Sequence, residues 1–115
     1  EVISPLVVAR RMAANFGITC IVTLGKQGAI ACSPEGIWEV KSMDIEAVDT
    51  TAAGDAFVGV LAASIERGMD LSTALRRASV ASGLACLSKG AQTSLPTNYH
   101  IENNLQSVAL PRRSV

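Results

Sequence analysis

Aromatic and charged side chains are scarce in this chain of 115 residues. Phe, Trp and Tyr together make up 3% of it and charged residues 17%, whereas hydrophobic residues make up 49%. The formal net charge is zero, basic residues occur at most as pairs, and we expect the C-terminal pair Arg112-Arg113 to be a frayed tail. A nucleic-acid-binding face, which needs clustered Lys and Arg, is therefore not expected. The core has to be built from Ala, Val, Leu and Ile, and the length allows one domain at most.

Cysteine pairs and long apolar runs are also missing. Cys20, Cys32 and Cys86 form no CxxC pair and lie in apolar stretches, so we expect free, buried thiols in a reducing compartment. The lone His100 lies far from them, which argues against structural zinc. No apolar run approaches the ~18 residues of a membrane span, and no secretory leader is recognisable. We therefore expect a cytoplasmic protein without membrane or nucleic-acid partners.

Runs of apolar residues between Gly, Pro and Ser predict the secondary structure. Helices are predicted over residues 4–16, 54–67, about 72–89 and 98–107. Strands are predicted over residues 18–24, 29–33, 37–41 and 45–48. The run "ITCIVTL" (18–24) has no polar alternation, which is typical of a strand buried on both faces of a parallel sheet. Too few strands follow to complete a doubly wound sheet, so we expect the C-terminal part of a larger α/β domain that self-associates through exposed apolar surface.

The stretch "DTTAAGDAF" (49–57) places an acid at the start of a predicted helix. The amides of Ala52, Ala53, Gly54 and Asp55 would lack intrahelical partners there, and the small side chains would let a phosphate approach them. Asp55 then has two interpretations. It could cap the helix or face its dipole, a contribution of ~0.3–1 kcal/mol. It could instead accept a hydroxyl proton during phosphoryl transfer, and spacing alone leaves both open.

Four segments, in order, resemble the ribokinase-like (PfkB) carbohydrate kinases. "DTTAAGDAFVG" (49–59) resembles the family motif D-T-x-[GA]-A-G-D, and "VTLGKQGA" (22–29) the strand and glycine turn over the nucleotide phosphates. The Ala/Gly/Ser-rich helix 72–89 is similar to the helix beside the adenine pocket, and "KGAQTSLPT" (89–97) resembles a loop of ribokinases. The likeness implies the C-terminal portion of a three-layer α/β/α fold with a mostly parallel sheet. Residues 1–97 would belong to the kinase and 98–115 to a terminal helix and tail.

The resemblance also implies roles for matching residues. Asp55 would be the catalytic base that deprotonates a sugar's primary hydroxyl. The amides of Ala52, Ala53 and Gly54 would form an anion hole for the γ-phosphate. The implied nucleotide contacts are Thr23, Gly25, Gly28 and Ser79, the last standing where ribokinases often carry a His. The implied ligands of a potassium-type cation are the carboxylate of Asp49, the hydroxyl of Ser94 and the backbone carbonyls of Thr51, Ala85, Ser88 and Gly90.

Other interpretations stay open for several of these residues. Gly25 and Gly28 suit any hairpin turn, Asp49 could be a turn acid at a strand end, and Ser94 could brace the loop before Pro96. The sequence has no P-loop motif. The family's sugar site, lid and magnesium-linked N-x-x-E motif are not found in this chain either. The expected function is ATP-dependent phosphorylation of a small sugar with Mg²⁺ and K⁺, with sugar binding supplied by the missing N-terminal part. The alternative is a truncated, non-catalytic module that folds or self-associates.

Overall fold

The computed structural model describes residues 4–87 and 96–114, and it contains four α-helices and four strands in these ranges. The helices are α1 Pro5–Phe16, α2 Ala53–Glu66, α3 Leu71–Ala85 and α4 Asn98–Asn103. The strands are β1 Cys20–Thr23, β2 Ala29–Ser33, β3 Gly36–Val40 and β4 Arg112–Ser114. Short 3₁₀ turns cover Gly25–Gln27 and Leu105–Ser107.

Helix α1 begins and ends where the sequence predicts. Ser4 occupies the N-cap position without a side-chain cap, and Pro5 takes the first turn. At the other end Gly17 adopts a left-handed conformation with φ 65°, and its amide donates to the carbonyl of Ala13. Proline at the start and glycine just past the end are the expected boundary signals of a helix.

The sheet is antiparallel throughout the described residues, in the order β1-β2-β3-β4. The prediction of a parallel sheet is therefore wrong for this part of the chain. The reason is the length of the connections: five residues join Thr23 to Ala29 and two join Ser33 to Gly36. A parallel crossover needs a dozen or more. β1 is also shorter than the predicted 18–24 and is half-buried.

Alternate residues of β2 face two different helical layers. Ala29 and Ala31 belong to the larger core, which also includes residues of α2 and α3. Cys32 belongs to a smaller cluster with Ala9 and Ala13 of α1. Because successive strand residues point to opposite faces, α1 covers one face of the sheet and the α2–α3 pair covers the other. The three-layer α/β/α arrangement is thus present in this portion.

Helix α3 is the most buried element. Ala74, Leu75, Ala78, Ala81 and Ala85 are each 0% exposed, and the four small alanines let neighbouring backbone approach closely. Its first turn is capped by Asp70, whose carboxylate accepts from the Thr73 amide at 2.8 Å. α2 matches the predicted 54–67 to within one residue, whereas α3 ends at Ala85, before the predicted residue 89.

Two predictions are wrong: the strand at residues 45–48 and the frayed tail at Arg112-Arg113. Residues 45–48 form no strand; the amides of Val48 and Asp49 instead donate to the carbonyl of Cys86 at 2.7 and 3.1 Å, which ties this segment to the end of α3. Arg112 and Arg113 are not a frayed tail. They lie in β4 and pair with Glu39 and Trp38 of β3.

All three cysteines are free thiols, as predicted. Cys32 and Cys86 are buried, but Cys20 is only half-buried. Burial raises the pKa of the Cys32 thiol, and Cys20 raises it further. Within the ranges 4–87 and 96–114, no helix has both the length and the apolar character needed to cross a bilayer.

Candidate functional site

A cleft of about 860 Å³ lies between the 3₁₀ turn after β1, the first turn of α2 and one side of α3. The four predicted nucleotide contacts all line it, although they come from distant parts of the sequence: Thr23, Gly25, Gly28 and Ser79. Ala53 and Gly54 of the predicted anion hole line it as well. The fold therefore brings the predicted nucleotide contacts and the start of α2 to one cavity.

The glycine turn is held tightly against β3. Gly25 and Gly28 have φ values of 58° and 95°, which favour glycine. The amide of Leu24 donates to the carbonyl of Gly28 at 2.7 Å, which closes the β1–β2 connection. The two glycines therefore have the backbone conformation of a hairpin turn, as one of the two interpretations predicts. This conformation is compatible with a nucleotide role, because both residues also line the cleft.

The first turn of α2 offers amides to the cleft. Ala52 is the N-cap residue and is buried, and the amide of Ala53 donates to the carbonyl of Thr50 at 3.2 Å. The Ala53 amide thus has no intrahelical acceptor, as the sequence predicts, but it is already bonded to a carbonyl of the preceding turn. Gly54 and Asp55 are the next residues, and their amides lack intrahelical acceptors because the helix has only just begun.

Asp55 is not the helix cap. It lies two residues beyond the first helical residue, Ala53, while Ala52 holds the cap position without a side-chain hydrogen bond. The Asp55 side chain is exposed in the first turn, so it faces the positive end of the helix dipole and solvent. A carboxylate in this position is sterically free to meet a substrate hydroxyl.

Asp49 and Thr51 form a compact turn just before α2. The Thr51 amide donates to Asp49 Oδ1 at 2.9 Å, and the Thr51 hydroxyl donates to the same oxygen. Asp49 is therefore a turn acid, as the alternative interpretation predicts, but no strand directly precedes it. The carboxylate also lies near the end of α3, where it adds to the effect of burial in raising the pKa of Cys86. The turn thus brings two predicted cation ligands close to the helix end that carries a third, Ala85.

Three other predicted cation ligands, Ser88, Gly90 and Ser94, lie outside the described residues. Among residues 4–87 and 96–114, no group of three or more His, Cys, Asp or Glu side chains is close enough to hold a metal ion. The predicted cation set is of a different kind, because most of its ligands are backbone carbonyls. Carbonyl and carboxylate oxygens suit hard cations.

Ser79 is buried in α3 at 4% exposure, and its hydroxyl donates to the carbonyl of Lys41 at 2.5 Å. The hydroxyl is therefore occupied by the backbone of the segment after β3. That segment contributes several cleft residues that the sequence analysis did not select. They are Lys41, Ser42, Met43 and Asp44, joined by Lys26 from the glycine turn.

For Ser42, Met43 and Asp44, nothing local in the sequence indicates a place in the cleft. Lys41 is exposed to solvent at the end of β3, yet it also borders the cleft. Two lysines near a glycine turn are a usable signal for anion binding, since ammonium groups neutralise phosphate charge. The cleft therefore combines two cationic side chains and the amide of Gly54, which lacks an intrahelical acceptor, with the Asp44 carboxylate.

Comparison with known proteins identifies the class. The sequence profile of the pfkB family carbohydrate kinases matches residues 6–98. Ribokinase of Schizosaccharomyces pombe is 38% identical over 93 residues, which cover 78% of this chain and 29% of that protein. The chain belongs to the pfkB carbohydrate kinase family, and it spans about a third of the length of the relatives it matches.

Solved structures agree with this assignment. Arabidopsis thaliana ribokinase, solved with ribose and ATP, superposes with a TM-score of 0.73 at 28% identity and covers 76% of this chain and 29% of its own. An Escherichia coli protein assigned as a ribokinase II, solved with ATP and Mg²⁺, gives a TM-score of 0.85 at 29% identity. It covers 92% of this chain and 34% of its own. The match confirms the ribokinase-like α/β fold.

Proposed function

We propose that this chain carries the ATP site, the anion hole and the catalytic base of an ATP-dependent sugar kinase. The observation that supports this most is the single cleft that joins the glycine turn to the first turn of α2. Asp55 projects from that same first turn. The sugar site and lid belong to the part of the relatives that this chain does not match.

The nucleotide would lie along the cleft. Thr23, Gly25 and Gly28 would contact its ribose and phosphates, and Ser79 marks the side formed by α3. Lys26 and Lys41 would offset the negative charge of the triphosphate, because both line the same cavity. A glycine turn suits this task, since a missing Cβ lets phosphate oxygens approach the backbone.

Transfer would occur at the start of α2. The oxygen of a sugar hydroxyl attacks the γ-phosphorus, its proton passes to the Asp55 carboxylate, and the bond to the β–γ bridging oxygen breaks to release ADP. The amides of Ala52, Ala53 and Gly54 would stabilise the charge on the γ-phosphoryl oxygens as this happens. The Ala53 amide would have to exchange its bond to Thr50 for one to phosphate, because it already donates at 3.2 Å.

Two kinds of metal ion would assist the transfer, one at the phosphates and one at the loop before the anion hole. Mg²⁺ is held mainly by substrate phosphates with one or two carboxylates, and Asp44 is a carboxylate in the cleft; the ion would neutralise phosphate charge. A potassium-type cation near Asp49 and Thr51 would fix the loop that precedes the anion hole. The Asp49–Thr51 turn next to the end of α3 supports that placement.

A non-catalytic module is the second candidate, and one observation favours it. Val8, Met12 and Phe16 form a stripe on α1 at helical spacing, and they are 42%, 39% and 69% exposed. Exposed apolar side chains in a stripe are typical of an interaction surface. Such a module would associate with another copy, or with an N-terminal kinase part, and would not need ATP.

Amide hydrogen exchange with and without the ATP analogue AMP-PNP and Mg²⁺ tests the proposal on this chain. We expect slower exchange at residues 23–28 and 52–55 when nucleotide is present. The β2–β3 hairpin at 33–36 lies outside the cleft lining and serves as the internal control. Equal exchange in both conditions would favour the non-catalytic module. In a coupled assay with ATP and ribose, we expect no ADP formation by the chain alone; turnover would contradict the assignment of the sugar site to the missing part.

A further inference from the structure

We propose that Ser42 is a positioning residue for the nucleotide, acting through the glycine turn; this inference rests on the proposed function. The Ser42 hydroxyl donates to the carbonyl of Gly25 at 2.7 Å, across 17 residues of sequence. Both residues line the cleft. Ser42 therefore fixes the orientation of a peptide group that borders the nucleotide site.

The other end of the turn is fixed in a different way. The carbonyl of Gly25 also accepts the amide of Gly28 at 3.1 Å, and Gly28 in turn rests on the backbone of Val40. Gly28 is thus held by close packing, whereas the Gly25 carbonyl is held by two hydrogen bonds, one from the Gly28 amide and one from the Ser42 hydroxyl. Loss of the Ser42 hydroxyl would remove the side-chain bond to that carbonyl and leave the packing of Gly28 unchanged.

Ser42 is itself held in place from the core. The residue before it, Lys41, accepts a hydrogen bond through its carbonyl from the hydroxyl of Ser79 at 2.5 Å. Ser79 is 4% exposed and belongs to the largely buried helix α3. A continuous set of contacts therefore runs from α3 through Lys41 and Ser42 to Gly25. Four residues of the cleft wall are linked by it.

If the bond from Ser42 to Gly25 only stabilised the fold, its removal would lower the free energy of unfolding. The Ser42 bond is exposed to solvent, and such bonds contribute little net stability because water replaces them. Its removal should therefore change the shape of the turn more than the folding equilibrium. The expected signature is weaker ATP binding with nearly unchanged unfolding.

The test compares ATP affinity of the wild-type chain with three variants by isothermal titration calorimetry. Ser42→Ala removes the donor, and Ser42→Thr retains a hydroxyl. Ser33→Ala is the matched control, because the Ser33 hydroxyl donates to the carbonyl of Gly36 at 3.3 Å in a hairpin outside the cleft. We expect Ser42→Ala to weaken ATP binding by about three- to tenfold. Ser42→Thr and Ser33→Ala should stay within about twofold of wild type, and adenosine, which lacks phosphates, should bind all four proteins alike.

The outcomes distinguish a failure of the positioning role of Ser42 from a failure of the proposed nucleotide site. Unchanged ATP affinity in Ser42→Ala would overturn the positioning role while leaving the proposed function in place. Parallel losses for ATP and adenosine, with a lower unfolding midpoint, would also overturn it and identify a structural brace. Absence of ATP binding in the wild-type chain itself would overturn the nucleotide site and this inference with it.

Discussion

The backbone of Gly28 lies so close to that of Val40 that a Cβ built on Gly28 would come within 2.0 Å of the Val40 carbonyl oxygen. The contact joins the end of the glycine turn to the last residue of β3. It places the turn against the segment that continues into Lys41 and Ser42. One wall of the cleft therefore depends on the absence of a side chain at a single position.

Gly28→Ala should consequently destabilise the chain by about 2–4 kcal/mol, because it adds both a collision and a strained positive φ. Gly59→Ala is the matched control: Gly59 lies inside α2 with open space around its would-be Cβ. There alanine should stabilise by about 0.5–1 kcal/mol through helix propensity. Urea unfolding measures both. Equal effects of the two substitutions would contradict the contact.

The two arginines of β4 should differ in their contribution to stability. Arg113 lies 5.0 Å from the ring centroid of Trp38 and donates to the carbonyl of Glu35 at 2.8 Å. Arg112 only pairs with Glu39, and the two side chains are 87% and 47% exposed. Arg113→Ala should cost about 0.5–1.5 kcal/mol and shift the fluorescence of Trp38, the sole tryptophan. Arg112→Ala should cost less than about 0.5 kcal/mol.

Fluorescence-monitored urea unfolding checks this difference directly. If both alanine variants leave the Trp38 emission and the unfolding midpoint unchanged, β4 is not held on β3 as described. A larger effect at Arg112 than at Arg113 would also contradict the structure.

Asp70 should make the stability of the chain depend on pH at the acid end. The backbone amide of Thr73 donates to its carboxylate and, with the Thr73 side chain, lowers the pKa of Asp70 below its usual value of 3.8. A lowered pKa in the folded state means that the contribution is present above about pH 3.8 and is lost as the pH falls through the folded value. Asp70→Ala should therefore lower the thermal midpoint at pH 7, and its difference from wild type should shrink below pH 3.8.

Asp70→Asn is the control for charge, since asparagine is also a good N-cap acceptor. It should retain most of the stability of the wild type at pH 7 and show a weaker acid dependence. Thermal melts followed by circular dichroism from pH 2.5 to 7 measure this. A difference between wild type and Asp70→Ala that stays constant over that range would show that the cap does not titrate.

The helices could be predicted from the sequence because their boundary signals are local. Pro5, Gly17 and Gly68 mark helix ends within a turn of the residues they affect, and the structure places α1 and α2 accordingly. The strand order could not be derived from the apolar run at 18–24, because burial on two faces does not specify direction. β4 was missed because two arginines carry no strand pattern, and their pairing with Trp38 depends on contacts across the fold.

The candidate site likewise contains residues that the sequence predicts and residues that only the fold reveals. Asp55 and the small residues before it are contiguous, so the motif and the start of a helix are visible together. Lys41 and Ser42 become part of the cleft only because Ser79 and Gly25 bond to them from 38 and 17 residues away. No spacing rule reveals such contacts. The interpretation of Asp55 as the N-cap is wrong, since Ala52 holds that position, whereas interaction with the helix dipole and a role in proton transfer both fit its place in the first turn.

The central claim is that the Asp55 carboxylate takes the proton of the sugar hydroxyl during phosphoryl transfer. A chimera tests it, in which residues 6–98 replace the matching part of S. pombe ribokinase, which supplies the N-terminal portion. The assay measures ribose-dependent ADP formation, with ATP affinity and thermal unfolding measured on the same proteins. Glu66→Gln, an exposed carboxylate at the far end of α2, is the control.

We expect Asp55→Asn to lower kcat by about 10²–10⁴-fold with ATP affinity and the unfolding midpoint unchanged, while Glu66→Gln remains as active as the parent chimera. A parent chimera that turns over ribose, with an Asp55→Asn variant that retains more than about a tenth of its kcat, would contradict the account.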